Sequence, residues 1–403
     1  MGVVQRRLTK SFKEFFDSGK SSGILLIICT AVSLLIANSM LGENYLKFWQ
    51  MYLGNLSIEH WINDLLMAIF FLLIGLELKR ELYVGELSNF KNALLPIFAA
   101  IGGFALPALI HLSLNIGTPT QAGIGIPMAT DIAFALGILA ILGNRVPASL
   151  KVFLAALAVI DDLMAIIVIA IFYTTGFSAM FLLGALGIFV LLLILNKLGV
   201  LSLIPYLIGG AIMWYLMLKS GVHATIAGIL LAFTIPFSGK AEDENSPSHY
   251  LEHLLHKPVS FIILPVFALA NTGVMINADS IGALVNFNEI GVIAGLIIGK
   301  PVGITLLSFI AVALGVSRLP LDLSWRHIIG AGFLGGIGFT MSIFIANLAF
   351  TGNLKEINGS KMAILLASLV AGILGFTWLK LFGQPTREDS DADTMDYEVD
   401  NEV

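Results

Sequence analysis

The chain has 403 residues, 57% of them hydrophobic and only 12% charged, with a mean hydropathy of +0.92. Soluble domains carry about a quarter charged residues, so a water-soluble chain is excluded. The net charge of −5 is local: eight acids lie between Glu388 and Glu402, whereas residues 1–386 hold 21 basic and 19 acidic side chains, a balance of +2. An acidic protein seeking basic partners is therefore excluded, and no nucleic-acid partner is expected. The single cysteine, Cys29, lies in an apolar run, which rules out disulfides and cysteine metal sites.

Residues 1–21 read as a cytoplasmic N-terminal segment. After them, apolar runs recur to Phe382, each long enough to cross a hydrocarbon core about 30 Å thick as a helix. They do not alternate apolar and polar residues as barrel strands do. The first run has no small-residue cleavage site and is followed by eleven more, so it counts as a retained span. Spans are expected near 22–38, 58–83, 92–114, 122–143, 148–173, 178–197, 202–218, 222–237, 254–276, 289–314, 327–350 and 357–382. Of the 22 lysines and arginines, 17 fall on the face shared by the two termini and four on the other: Lys47, Lys219, Lys355 and Lys361. The last, Lys300, falls within a span. The positive-inside bias puts both termini in the cytoplasm.

Between the first two spans, residues 39–57 are aromatic and nearly uncharged, as suits an extracytoplasmic interfacial loop. Residues 238–250 (SGKAEDENSPSHY) read as a cytoplasmic link between two halves of one twelve-span domain covering 22–383. Residues 384–403 read as a solvated, disordered tail.

Span four, GIGIPMATDIAFALGILAIL, carries Pro127, Thr130 and Asp131 at its middle. Span five carries the adjacent pair Asp161 and Asp162, and span ten carries Lys300. An ionised side chain at the bilayer centre costs at least about 2.5 to 3.5 kcal/mol on insertion scales, so each needs a partner or a function. Three acids and a base share the depth at which a transporter holds its ion. Neighbours on one helix point about 100° apart, so one of Asp161 and Asp162 can meet a cation while the other faces a water-filled cavity. Carboxylate oxygens hold either a proton or a small hard cation, and that competition couples the two without ATP if the site opens alternately to each side. No cofactor is needed.

Span eleven, IIGAGFLGGIGFTMSIFIANLAF, has Gly332, Gly335, Gly336, Gly338 and Thr340 at its middle, so it too reads as a helix unwound at mid-span. An offset of 210 aligns Thr130 with Thr340 and Phe134 with Phe344. Spans four and eleven differ by an odd number and run in opposite directions, the mark of inverted-topology repeats whose half-helix ends meet at a substrate site. Asp131 suits the positive half-helix ends and Lys300 the negative ones. In span ten, Gly291, Gly295, Gly299 and Gly303 form a packing stripe, and Pro301 loosens the helix beside Lys300.

On the cytoplasmic side, GLELKRELYVGE places Glu77, Lys79, Arg80 and Glu81 at the end of span two. HYLEHLLHKP places His249, His253 and His256 on one helical face beside Glu252. This is either a solvated interfacial helix or a pH sensor, since histidine changes charge near neutral pH.

The motifs ATDIAFALGILAILG, VFLAALAVIDDLMAIIVIAIFYT, KSGVHATIAGI, LEHLLH, IIGKP and GGIGFTMSIFIANLAF occur in this order. With them the chain closely resembles the bacterial sodium/proton antiporter A family over nearly all of residues 1–383. The resemblance implies an all-α polytopic membrane protein of twelve transmembrane helices, with interrupted, crossed helices at spans four and eleven. It implies electrogenic exchange of Na+ or Li+ for more than one proton across the bacterial inner membrane, activated at alkaline pH. It assigns ion binding to Asp161 and Asp162, the helix break to Asp131 with Thr130, the midplane lysine to Lys300, and the pH response to Glu77, Arg80, Glu81, Glu252, His253 and His256. It also implies a homodimer joined through an extracytoplasmic β-hairpin near 43–58. His249 and Tyr250, just before LEHLLH, stand where basic residues can occur.

Two other functions compete. A sodium-coupled solute symporter of related broken-helix fold would bind its ion largely through neutral oxygens. An intramembrane aspartyl protease would carry a Gly-x-Gly-Asp sequence, which is absent.

Overall fold

In a computed structural model the chain is described over residues 10–384, except 89, 175 and 239–245. The tail from residue 385 and most of the link at 238–250 lie outside the described residues. Helix α1 (Lys10–Ala37) is followed by α2 (Gly42–Gln50), set at 114° to it and so turned out of α1's direction. A two-stranded antiparallel hairpin then pairs Tyr52 with Ser57 and Leu53 with Leu56. Gly54, at φ +71°, supplies the left-handed turn residue.

The remaining helices are α3 (Ile58–Tyr83), α4 (Phe90–Asn115), α5 (Ile132–Leu142), α6 (Ala148–Phe172), α7 (Ala179–Lys197), α8 (Ile204–Ser220), α9 (Ile226–Thr234) and α10 (Pro247–Asn271). They continue with α11 (Ala278–Ala283), α12 (Phe287–Ala313), α13 (Trp325–Gly335), α14 (Phe339–Ala349) and α15 (Leu354–Phe382). This is an all-α polytopic membrane protein. By length and composition eight helices can cross a membrane, or ten if the bent pairs α1–α2 and α13–α14 each count as one span. The spans expected at 202–218 and 222–237 appear as α8 and α9, helices of 17 and nine residues, short of the roughly 20 that a full crossing needs. Gly221, at φ +83°, ends α8, and Pro236 follows closely on α9.

Polar contacts gather at two opposite faces. Arg80 meets Glu252, and the Trp378 ring nitrogen donates to the Arg326 carbonyl, on the face where α1 begins and α15 ends. On the other face Lys361 meets Glu59 at 3.7 Å, Asn38 bonds to residues 274 and 276, and Asn115 donates to the Phe287 carbonyl. One apolar core joins α3 to α6, α10 and α12 to α15. A second, around Tyr206, Met213 and Leu192, packs α7, α8 and α9 against α3. Only 11% of the apolar stretch of α7 is buried, so it lies on the outside of the bundle.

The glycine stripe of span ten seats α12. A Cβ at Gly295 would stand 2.6 Å from Pro127 Cβ, and one at Gly303 would stand 2.6 Å from the carbonyl carbon of Gly102 on α4. Backbone thus approaches backbone where a side chain could not fit. A widened π-type turn, Gly295–Gly299, directly precedes Lys300. Pro301 lacks an N–H to continue the regular ladder there.

Candidate functional site: a charged junction between two broken helices

Span four is interrupted as its composition predicts, but its first half differs from an α-helix. Pro119–Met128 winds as a tighter 3-10 helix, then residues 129–131 run extended before α5 begins. Two prolines and two glycines in ten residues disfavour the α-helix. Gly125 also lets the segment approach Tyr173, whose hydroxyl donates to the Ala122 carbonyl at 2.8 Å. In span eleven, α13 ends at Gly335, Gly336 and Gly338 flank the break, and α14 leaves at 45°.

The two breaks touch. The Asp131 amide donates to the Ile337 carbonyl at 2.6 Å. Asp131 Oδ1 accepts the Phe134 amide at 3.0 Å, capping α5, while Oδ2 accepts the amide of Thr340 at 3.0 Å and its hydroxyl at 2.5 Å. One carboxylate therefore satisfies first-turn donors of two half-helices, where unpaired amides concentrate partial positive charge. The Ser368 hydroxyl accepts the Phe339 amide, and the Ser342 hydroxyl donates to the Ile126 carbonyl.

The opposite pole lies one residue earlier. The Thr130 hydroxyl stands 2.8 Å from the carbonyl of Gly335, the last residue of α13, and 2.7 Å from Asp161 Oδ2. Having one proton, it donates to one of these at a time. Lys300 Nζ donates to the Thr130 oxygen at 2.9 Å and forms an ion pair with Asp161 Oδ2. Both side chains of that pair are 0% exposed. The amine thus neutralises Asp161 and, through Thr130, faces the carbonyl end of α13.

Asp162 differs from its neighbour. It is 1% exposed, yet neither carboxylate oxygen has a hydrogen-bond partner among the described residues, and Asp161 Oδ1 also lacks one. Asp161, Asp131, Glu77 and Lys300 all lie within its electrostatic reach. A buried carboxylate that no described protein group satisfies is costly, and a small cation or a proton would relieve it. Pro127, Gly335, Gly336, Gly338 and Thr340 shape the breaks around this pair.

Toward the face where α1 begins and α15 ends, Arg80 joins Glu81 and Glu252, each at 2.9 Å. Glu77, which is buried, lies within electrostatic reach of Arg80, Glu81 and Glu252 as well as of Asp162. His256 is coupled in the same way to His253 and Arg80. Lys79 does not join this cluster. Its amine is spent on the carbonyls of Ala232, Phe233 and Ile235 where α9 ends.

The Na+/H+ antiporter 1 family model matches residues 13–379, nine-tenths of the chain. The chain belongs to this family. Among the family's curated members it resembles the Na(+)/H(+) antiporter NhaA of Dechloromonas aromatica, 69% identical over 95% of this chain and 99% of that protein. It also resembles the proteins of the same name from Cytophaga hutchinsonii, 59% identical over 93% and 96%, and Flavobacterium psychrophilum, 60% identical over 93% and 97%.

Several polar groups of this antiporter-family junction escaped the sequence reading. Ser342 and Ser368 are single hydroxyls in apolar runs, a signal too common to stand out. The Gly335 carbonyl is a backbone group, and only the end of α13 exposes it. His111, Asn288 and Glu289, buried near the other face, sit close to expected span ends, where polar residues are ordinary.

Proposed function

We propose that the chain exchanges Na+ or Li+ for protons, with Asp161 and Asp162 as the shared binding site for cation and proton. The observation that carries this reading is the buried Asp162 carboxylate, unpartnered beside an aspartate already paired with lysine. A cation arriving at Asp162 would also draw on the free Oδ1 of Asp161. Lys300 then loses its partner and remains beside the Thr130 hydroxyl and the α13 carbonyl end. Protons leave as the cation binds and return as it departs, so neither ion crosses without the other. Asp131 keeps the two half-helices joined while the breaks let their outer halves move.

The reading extends to twelve spans in inverted repeats, with α8 and α9 as the short pair and both termini in the cytoplasm of the bacterial inner membrane. Glu77, Arg80, Glu81, Glu252, His253 and His256 tune activity to pH by acting on the electrostatic path to Asp162. A homodimer joined through the hairpin is in keeping with exposed Tyr52 and Leu53 at its first strand. No cofactor takes part.

The test is dissipation of a proton gradient in inside-out vesicles by Na+, Li+ and K+, with wild type, Asp162→Asn and Lys300→Ala. Na+ and Li+ should collapse the gradient in wild type only, and K+ in none. Normal activity of Asp162→Asn would refute the site.

A further inference from the structure

The molecule holds a second buried titratable cluster, toward the face where α1 ends and α15 begins, that the exchange mechanism above does not use. His111 on α4, Asn288 and Glu289 in the first turn of α12, and Ser360 on α15 are each at most 2% exposed. Asn288 is the hub. Its amide nitrogen donates to the Ser360 hydroxyl at 2.9 Å and to Glu289 Oε1 at 3.3 Å, and its oxygen lies 3.1 Å from His111 Nε2. In that arrangement the histidine donates from Nε2, which leaves Nδ1 as a lone-pair acceptor.

Two atoms remain unsatisfied among the described residues: His111 Nδ1 and Glu289 Oε2. Both can take a proton, and no neighbour occupies either. The charged groups on the elements around them are few. Helix α15 brings Glu356, which is within electrostatic reach of Glu289, and Lys361, which is paired with Glu59 of α3. The segment Pro119–Met128 brings no ionisable side chain. Hydrogen bonds run from the surface to the backbone of His111. Exposed Thr118 bonds to Thr120 at 2.8 Å, and Thr120 donates to buried Asn115, which sits one turn from His111 and bonds to its carbonyl.

We propose that His111 and Glu289 form a proton-binding site open to the extracytoplasmic side, distinct from the aspartate pair. With one added proton, held by either residue, the cluster carries no net charge. Gaining or losing a proton leaves a net charge in a packed junction of α4, α12 and α15, where burial penalises it. Glu289 and Lys300 ride on the same helix, and Gly291 seats that helix directly against His111. Protonation here therefore acts on how α12 packs, and through it on Lys300. This second step and the side on which the site opens rest on the reading above, but the cluster itself does not.

The test is infrared difference spectroscopy on proteoliposomes in sodium-free buffer, stepping only the pH on the extracytoplasmic side. Wild type should show a carboxyl protonation band that is lost in Glu289→Gln and shifted in His111→Gln. In parallel, hydrogen exchange over residues 287–294 should change with the pH step in wild type and lose that response in the double variant. A difference spectrum that both single variants leave unaltered would overturn the proposal. Should Glu289→Gln fail to fold, the His111→Gln spectrum decides alone. With no sodium present, the result does not depend on which ion the aspartates carry.

Discussion

Thr340 gives both its amide and its hydroxyl to one oxygen of Asp131, a residue 209 positions earlier in the chain. With the Phe134 amide on the other oxygen, Asp131 is the shared N-terminal cap of α5 and α14. Hydrogen bonds to a charged acceptor contribute about 1.5 to 3 kcal/mol each. Asp131→Ala should therefore lower thermal stability markedly, while Thr340→Val, which keeps the amide contact, should lower it by about one such bond. Asp131→Asn should fall between wild type and Asp131→Ala, because its single oxygen can cap only one of the two helices. Melting temperatures in detergent decide the order; an Asp131→Asn as stable as wild type would show that shape, not capping by both oxygens, joins the breaks.

The pair Asp161–Lys300 and its neighbour Asp162 should respond to neutralisation in opposite ways. Removing one partner of a buried ion pair typically costs about 3 to 5 kcal/mol. Lys300→Gln and Asp161→Asn should each destabilise the fold, and the double variant should be more stable than their summed losses imply. Asp162→Asn removes a charge that makes no hydrogen bond, so it should leave stability unchanged or raised while transport is lost. A large stability loss in Asp162→Asn would reveal a partner that this arrangement lacks.

Much of this junction was legible from the sequence, because charge in an apolar run is rare and costly. Asp131, Asp161, Asp162 and Lys300 stood out, as did the breaks marked by Pro127, Gly335, Gly336 and Gly338. Helix periodicity showed that the two adjacent aspartates diverge, but not which one meets the lysine; that depends on how α12 rotates against α6. The glycine stripe seats α12 against Pro127 and Gly102, contacts that are tertiary and leave no periodic signal. The apolar run overstates the length of α9, because apolarity continues past its end to Phe237, while the helix ends where Lys79 takes its last carbonyls. His111 and Glu289 stayed hidden for a related reason: near a span end, polar side chains are expected to reach water, and only packing shows that these two do not.

Arg80 links two acids from different helices, Glu81 on its own and Glu252 on α10. The cluster reaches Asp162 through Glu77, and it reaches His256 directly. Glu252→Gln removes one negative charge, and a group that titrates beside a lost negative charge gives up its proton at lower pH. The alkaline rise of Na+-driven proton exchange should then move toward acid by several tenths of a pH unit to about one unit, the range of a single screened contact at this distance. Single replacement of His253 or His256 should also move the profile, whereas Lys79→Gln should not, because that amine holds helix-end carbonyls and is paired with no acid among the described residues. The measurement is exchange rate against pH with saturating Na+. Three unmoved profiles for Glu252, His253 and His256 would reduce this cluster to an interfacial helix with no part in regulation.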